Sequence, residues 1–175
     1  MRTFIAIDLP PETKDAIAAT ARQLSAVVKG RFLKRDTYHL TVAFLGDTSE
    51  QEVRRAMDAM DAACAGTPKV PLRFTGLGTF GKPHDATLWL GLESAPALTT
   101  LVSRVRKQLT EESVAFDEKP FKPHITIARR AALPQGPLPP LLFPEPSCAS
   151  SVTLFKSTLA REGATYKPLY SVNLL

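Results

Sequence analysis

Cysteine, histidine and aromatic residues are all scarce in this chain. Its two cysteines, Cys64 and Cys148, stand in no CxxC or Cys/His ligand spacing. Neither a disulfide scaffold nor a structural zinc site is therefore expected, and the thiols fit a reducing compartment better than an oxidising one. Long apolar runs are also missing. Nothing approaches the roughly 20 consecutive apolar residues needed to cross a bilayer. The apolar stretch within Met1 to Pro10 is cut by Asp8, too short and too early broken for a secretory signal. A cytoplasmic protein with no membrane partner is expected. Acidic residues are outnumbered, 17 Asp and Glu against 22 Lys and Arg, for a formal charge of +5. That balance favours an anionic partner such as a nucleotide, RNA or a phosphorylated metabolite, without choosing among them.

Disorder is not expected either. With 44% apolar residues over 175 positions, the chain can bury roughly 70% of its unfolded surface as one domain over residues 1–175. Strands and helices alternate along it. Thr3 to Asp8 reads as a strand, and Pro10-Pro11-Glu12 opens a helix whose inner face is Ile17, Ala21, Leu24 and Val28. Strands are expected at Arg31 to Arg35 and at Tyr38 to Leu45. Ser49 and Glu52 have capping-box spacing ahead of a helix with Val53, Met57, Met60 and Cys64 on one stripe. Val70 to Leu77 and Ala86 to Leu92 read as a strand pair, followed by a helix from Pro96 carrying Leu98, Leu101, Val102, Val105 and Leu109. Further strands are expected at Phe121 to Arg129, Val152 to Ala160 and Thr165 to Leu174. Pro134 to Pro146 holds six prolines in thirteen residues and must be a surface connection. Gly76 to Gly81 matches GxGxxG, but Lys82-Pro83-His84-Asp85 and another strand follow it. No helix starts there to meet a pyrophosphate, so the segment reads as a bulged hairpin.

The most informative feature is a repeated pentad. His39-Leu40-Thr41-Val42-Ala43 recurs 85 residues later as His124-Ile125-Thr126-Ile127-Ala128, using two of only three histidines. This repeat implies two similar halves, each bringing one strand to a shared centre. On a strand, residues two apart share a face. Each copy therefore presents an imidazole and a hydroxyl together, His39 with Thr41 and His124 with Thr126, while the aliphatic neighbours face inward.

Two facing imidazoles can hold one base and one acid at once near neutral pH. Displacement at phosphorus wants that arrangement, because nucleophile and leaving oxygen lie in line and each needs a proton partner. Threonine hydroxyls can donate to the non-bridging oxygens, and Arg129 can neutralise their charge. A zinc site would want a third ligand, which no HxH, HxxxH or His/Cys cluster supplies. A serine triad lacks a nucleophile-elbow motif. His84, between Pro83 and Asp85, reads as a solvated turn residue. No metal or cofactor is expected.

The paired His-x-Thr-x strands resemble the 2H phosphoesterase superfamily, and the chain is similar throughout to its RNA 2′,3′-cyclic phosphodiesterase branch, the LigT or ThpR family of so-called 2′-5′ RNA ligases. The likeness rests on Phe4 to Pro10, Tyr38 to Gly46, Leu88 to Gly91, Pro120 to Arg129 and Tyr166 to Leu169. It implies an α+β, bilobal fold with two pseudo-symmetric lobes, each an antiparallel sheet with flanking helices, and an active-site cleft between them. Hydrolysis of an RNA 2′,3′-cyclic phosphate end, or of a nucleoside 2′,3′-cyclic phosphate, to the 2′-phosphomonoester is implied, by a monomer. By the same resemblance His124 activates water, His39 protonates the leaving oxygen, and Thr41, Thr126 and Arg129 hold the phosphate. Arg130 follows Arg129, which leaves open which arginine reaches substrate. Phe44 and Arg129 stand five residues past their histidines and could flank a nucleobase, although strict alternation turns Phe44 away from His39 into the core. Tyr166 is a cleft-lining candidate. Reversible 2′-5′ ligation at the same site and a non-catalytic RNA-end or nucleotide-binding module are the alternatives. Two intact proton-transfer groups argue against the second.

Overall fold

Proline opens two of the three helices, and a capping box opens the third. A computed structural model describes residues 1–175. In chain order the elements are β1 (Arg2–Ile7), α1 (Pro11–Ser25), β2 (Lys29–Phe32), a 3₁₀ turn (Arg35–Thr37), β3 (Leu40–Asp47), α2 (Glu50–Cys64), β4 (Val70–Leu72), β5 (Phe74–Lys82), β6 (Asp85–Leu92), α3 (Pro96–Glu111), β7 (His124–Ala132), β8 (Ser147–Ala149), β9 (Ser151–Ala160) and β10 (Gly163–Asn173). Pro11 and Pro96 stand at helix starts, where a missing N–H costs nothing. Ser49 Oγ accepts from Glu52 N–H (3.1 Å), and Glu52 Oε1 accepts from Ser49 N–H (3.0 Å), closing the box at α2.

The strands form two four-stranded antiparallel sheets, ordered β10-β9-β1-β3 and β2-β7-β6-β5, and a small third sheet of β4 with β8. This is the expected α+β architecture, with the strands exchanged between sheets. β2 comes from the N-terminal half but pairs with β7, while β9 and β10 come from the C-terminal end and complete the sheet of β1 and β3. Neither half can assemble its sheet alone. One continuous core joins the layers, including Ile5 and Ile7 of β1, Leu40 and Val42 of β3, Ile125 and Ile127 of β7, and the Leu98 to Leu109 stripe of α3. The apolar faces expected for α1 and α3 are the faces that are buried.

Several element bounds differ from the sequence reading, each for a local reason. The strand expected at 31–35 ends at Phe32, because Arg35 to Thr37 closes a 3₁₀ turn in which Thr37 Oγ1 donates to Lys34 O (2.7 Å). The expected run 70–77 divides at Arg73, its first part pairing with β8, which the proline-rich surroundings concealed. Its second part continues through the glycines to Lys82, so the GxGxxG segment lies inside β5 and, with a register shift between Phe74 and Gly76, forms with β6 the bulged hairpin that was expected. The turn is made by Pro83 and the exposed His84. The strand read at 121–129 starts at His124 and runs to Ala132, since Pro120 and Pro123 cannot serve in the ladder. The first pentad's strand likewise starts at Leu40, one residue past His39, and runs to Asp47. Residues 133–146 contain no helix or strand, as their prolines require. No helix is long and apolar enough to cross a membrane.

Candidate active site

Alternation places the pentads as expected through their first four residues. Leu40, Val42, Ile125 and Ile127 are buried, while His39, Thr41, His124 and Thr126 line one cavity of about 710 Å³ between the two main sheets. Beyond that point each strand breaks its alternation at the same place. On β3, Thr41 pairs with Ala6 and Ala43 with Ile5, so Val42 is an extra residue. On β7, Thr126 pairs with Trp89 and Ala128 with Leu88, so Ile127 is the extra residue. Such a bulge shifts the facing by one. Its result is that Ala43 and Ala128 are buried, and that Phe44 and Arg129 turn toward the cavity.

The core reading of Phe44 is therefore incorrect. The residue is 52% exposed and lines the cavity, its ring 6.1 Å from that of Phe4. Arg129 also lines the cavity. Arg130 does not; its φ of +50° turns the backbone through the left-handed region at that residue. Tyr166, on β10, lines the cavity with its ring 5.1 Å from that of His39, nearly perpendicular.

Both imidazoles are held the same way. His39 Nδ1 lies 2.6 Å from Thr37 O and His124 Nδ1 lies 2.5 Å from Lys122 O, in each case the carbonyl two residues back. A carbonyl only accepts, so Nδ1 carries the proton, and Nε2 is the nitrogen left for chemistry. The surroundings differ. His39 sits among Phe4 (4.7 Å between ring centres), Tyr166 and Phe155. Burial there lowers its pKa to about 4; the Thr37 carbonyl opposes the shift, and the charges of Lys14, Arg129 and His124 add to it. His124 stands beside Phe80 (5.2 Å) and Trp89 (5.7 Å), with Lys122 Nζ 4.8 Å from the Trp89 ring centre. Burial also raises the Tyr166 hydroxyl pKa, which nearby Arg129 moderates.

Sequence reasoning missed much of the wall of the cavity. Arg2, Phe4, Phe80 and Lys119 line it, and none is among the site residues expected from the sequence. The glycines of β5 were a usable signal: a Cβ on Gly78 would lie 2.1 Å from the Trp89 ring, so that glycine is the bed on which the indole lies beside His124. With Arg2, Lys119 and Arg129 set against Asp117 alone, the cavity is basic. No group of His, Cys, Asp and Glu is arranged to hold a metal ion.

The family model described as the 2′-5′ RNA ligase superfamily matches residues 9–144. The chain belongs to that superfamily. An RNA 2′,3′-cyclic phosphodiesterase from Thermotoga maritima is 32% identical, the alignment covering 97% of this chain and 94% of the relative. Among solved structures of the superfamily's fold, a protein from Thermus thermophilus superposes with a TM-score of 0.84 at 28% identity, covering 99% of this chain and 98% of its own. Escherichia coli LigT complexed with 3′-AMP superposes with a TM-score of 0.81 at 30% identity, covering 99% and 97%. In this 2′-5′ RNA ligase superfamily member the two histidine–threonine pairs, carried by strands of different sheets, line a single cavity.

Proposed function

We propose that this chain is an RNA 2′,3′-cyclic phosphodiesterase, hydrolysing cyclic phosphate ends to 2′-phosphomonoesters without a metal. The observation that carries the reading is the pair of imidazoles, each with Nδ1 tied to a backbone carbonyl, lining the same basic cavity. The relatives' activity supports it, as does the binding of 3′-AMP by the E. coli protein. In this reading water attacks phosphorus as His124 Nε2 takes its proton. His39 Nε2 then gives a proton to the departing 3′ oxygen. Thr41 and Thr126 donate to the non-bridging oxygens and Arg129 balances their charge, while Phe44 and Arg129 flank the base and Tyr166 closes the cleft wall.

The lowered pKa of His39 bears on this assignment. At neutral pH the empty site holds His39 without its second proton, because burial and neighbouring cations disfavour the charge. A cyclic phosphodiester is an anion, and placing it among His39, His124 and Arg129 reverses the sign of the local field. Substrate binding and protonation of His39 then favour each other, so the loaded imidazole carries the proton that the leaving oxygen needs. All the groups used come from one chain, which supports a monomer, with residues 1–175 acting as one unit. Free Cys64 and Cys148 support a cytoplasmic setting.

The test is incubation with a short RNA bearing a 2′,3′-cyclic end. Formation of the 2′-phosphate, unaffected by EDTA, is expected. A 3′-phosphate product would overturn the assignment of the leaving oxygen, and tight binding without conversion would leave only a binding module.

A further inference from the structure

Arg31 of β2 and Arg129 of β7 are direct register partners on adjacent strands, and both are exposed. The neighbouring pair, Phe32 with Ala128, faces the core, so the two arginines stand together on the cavity side. Like charges placed directly opposite on a sheet destabilise it. Neither has a carboxylate to relieve the repulsion: the ion pairs of the chain are Arg35 with Asp15, Arg35 with Asp36, and Lys119 with Asp117. Arg129 lines the cavity, whereas Arg31 lies one strand further out, at the rim. There its Nη2 donates to Arg161 O (3.4 Å) in the turn between β9 and β10, bridging from one main sheet to the other. Gly163, the first residue of β10, leaves the space, since a Cβ on it would lie 3.1 Å from Arg31 Nη2. One long hydrogen bond leaves most of the guanidinium's five donors unused.

We propose that Arg31, paired with Arg129, is a second phosphate subsite, which takes the phosphodiester preceding the terminal cyclic phosphate of an RNA chain. The inference rests on the reading of the cavity as an RNA-end site and specifies its substrate class: an oligonucleotide end rather than a lone nucleotide. A phosphate at each guanidinium group turns their repulsion into two charge-assisted contacts. A nucleoside cyclic phosphate has its single charge at the reacting phosphorus and leaves Arg31 unanswered. Cross-strand partners have Cβ atoms about 5 Å apart, so a flexible backbone can reach the outer arginine while its terminal phosphate stays on the inner one.

Calorimetric binding of two product-like probes tests this, a nucleoside 2′-phosphate with a free 5′-OH and a trinucleotide ending in the same 2′-phosphate. The wild-type protein should prefer the trinucleotide. Arg31→Gln should lower that preference about tenfold and reduce the salt slope for the trinucleotide by about 0.7, the value of one single-strand phosphate contact. Arg31→Lys should keep most of the preference. Arg130→Gln makes the same charge change on a side chain outside the cavity and should leave the preference at its wild-type value. An unchanged preference in Arg31→Gln, or an equal loss in Arg130→Gln, would overturn the subsite. Hydrolysis of the cyclic forms is scored separately: a failure to hydrolyse with the Arg31-dependent preference intact would sink the reaction and sustain the subsite.

Discussion

The two copies of the pentad carry the same five-residue frame into unlike surroundings. β7 is an interior strand, and the carbonyl of its bulge residue, Ile127, accepts from the backbone N–H of Leu33 (2.9 Å), just past β2. β3 is an edge strand with no such neighbour. There the matching carbonyl, Val42 O, accepts from Arg106 Nε (3.2 Å) of α3, while Arg106 Nη1 holds Lys119 O (2.7 Å) and Asp117 N–H donates to Phe44 O (2.8 Å). A half-buried arginine and a docked loop thus replace a strand. The comparison teaches that the repeated feature is the bulge that aims the fifth residue. What holds the bulge differs, because a strand edge must be satisfied by whatever donor lies beside it.

The comparison can be broken most forcefully at the histidines. If the two copies supply complementary proton transfers, His39→Ala and His124→Ala should each lower kcat for a nucleoside 2′,3′-cyclic phosphate by about 10²–10⁴. The double variant should fall little further, because the groups act as a unit; full activity in either single variant would remove the mechanism. A smaller blow falls on the His124 side alone. Gly78→Ala would drive a methyl into the Trp89 ring, and overpacking of this kind costs roughly 1–3 kcal/mol. Urea unfolding should show the loss, together with a raised KM as the indole leaves its place beside His124.

On the His39 side, Arg106→Met removes the guanidinium while keeping an apolar stem against Phe116, leaving Val42 O buried without its donor. A loss of roughly 1–3 kcal/mol in denaturant stability is expected, with KM rising more than kcat falls as Phe44 loses its aim. Unchanged stability would mean that the edge carbonyl finds another donor.

The smallest effect separates the two imidazoles by pH. The folded pKa of His39, about 4, lies below the ordinary value of 6.5, so the unfolded chain binds this proton more readily. Its contribution is intact above about pH 6.5 and is lost as pH falls toward 4. The full shift is worth about 3 kcal/mol at most, and solvent at the open side of the cleft reduces it to about 1 kcal/mol. Unfolding midpoints at pH 7.5 and 4.5 should lie further apart in the wild type than in His39→Gln; equal separations would contradict a buried, neutral His39.

Much of this site was legible because it is local. The pairs His39 with Thr41 and His124 with Thr126 follow from a two-residue period, and the flanking aliphatics announce which face is inward. Phe44 was misread for the same reason: the period holds only until an extra residue enters the strand, and a bulge depends on pairing with β1, which no local pattern reveals. Phe80 lay in a segment whose glycines mimic a nucleotide loop, and its use beside Trp89 appears only when Gly78 is found beneath the indole. Arg106, 64 residues from Val42, has no sequence signal at all, because it answers a vacancy created by strand order.

The chain's pattern alone determined which side chains carry chemistry, which faces are apolar, where the helices begin and where prolines forbid regular structure. These are matters of covalent spacing and backbone geometry. Tertiary structure decided that both histidines open onto one cavity, that β2, β9 and β10 cross between sheets, that Phe44 and Arg129 turn inward, and that His39 is neutral while empty. Those outcomes depend on long-range pairing and desolvation, which exist only once distant segments pack together.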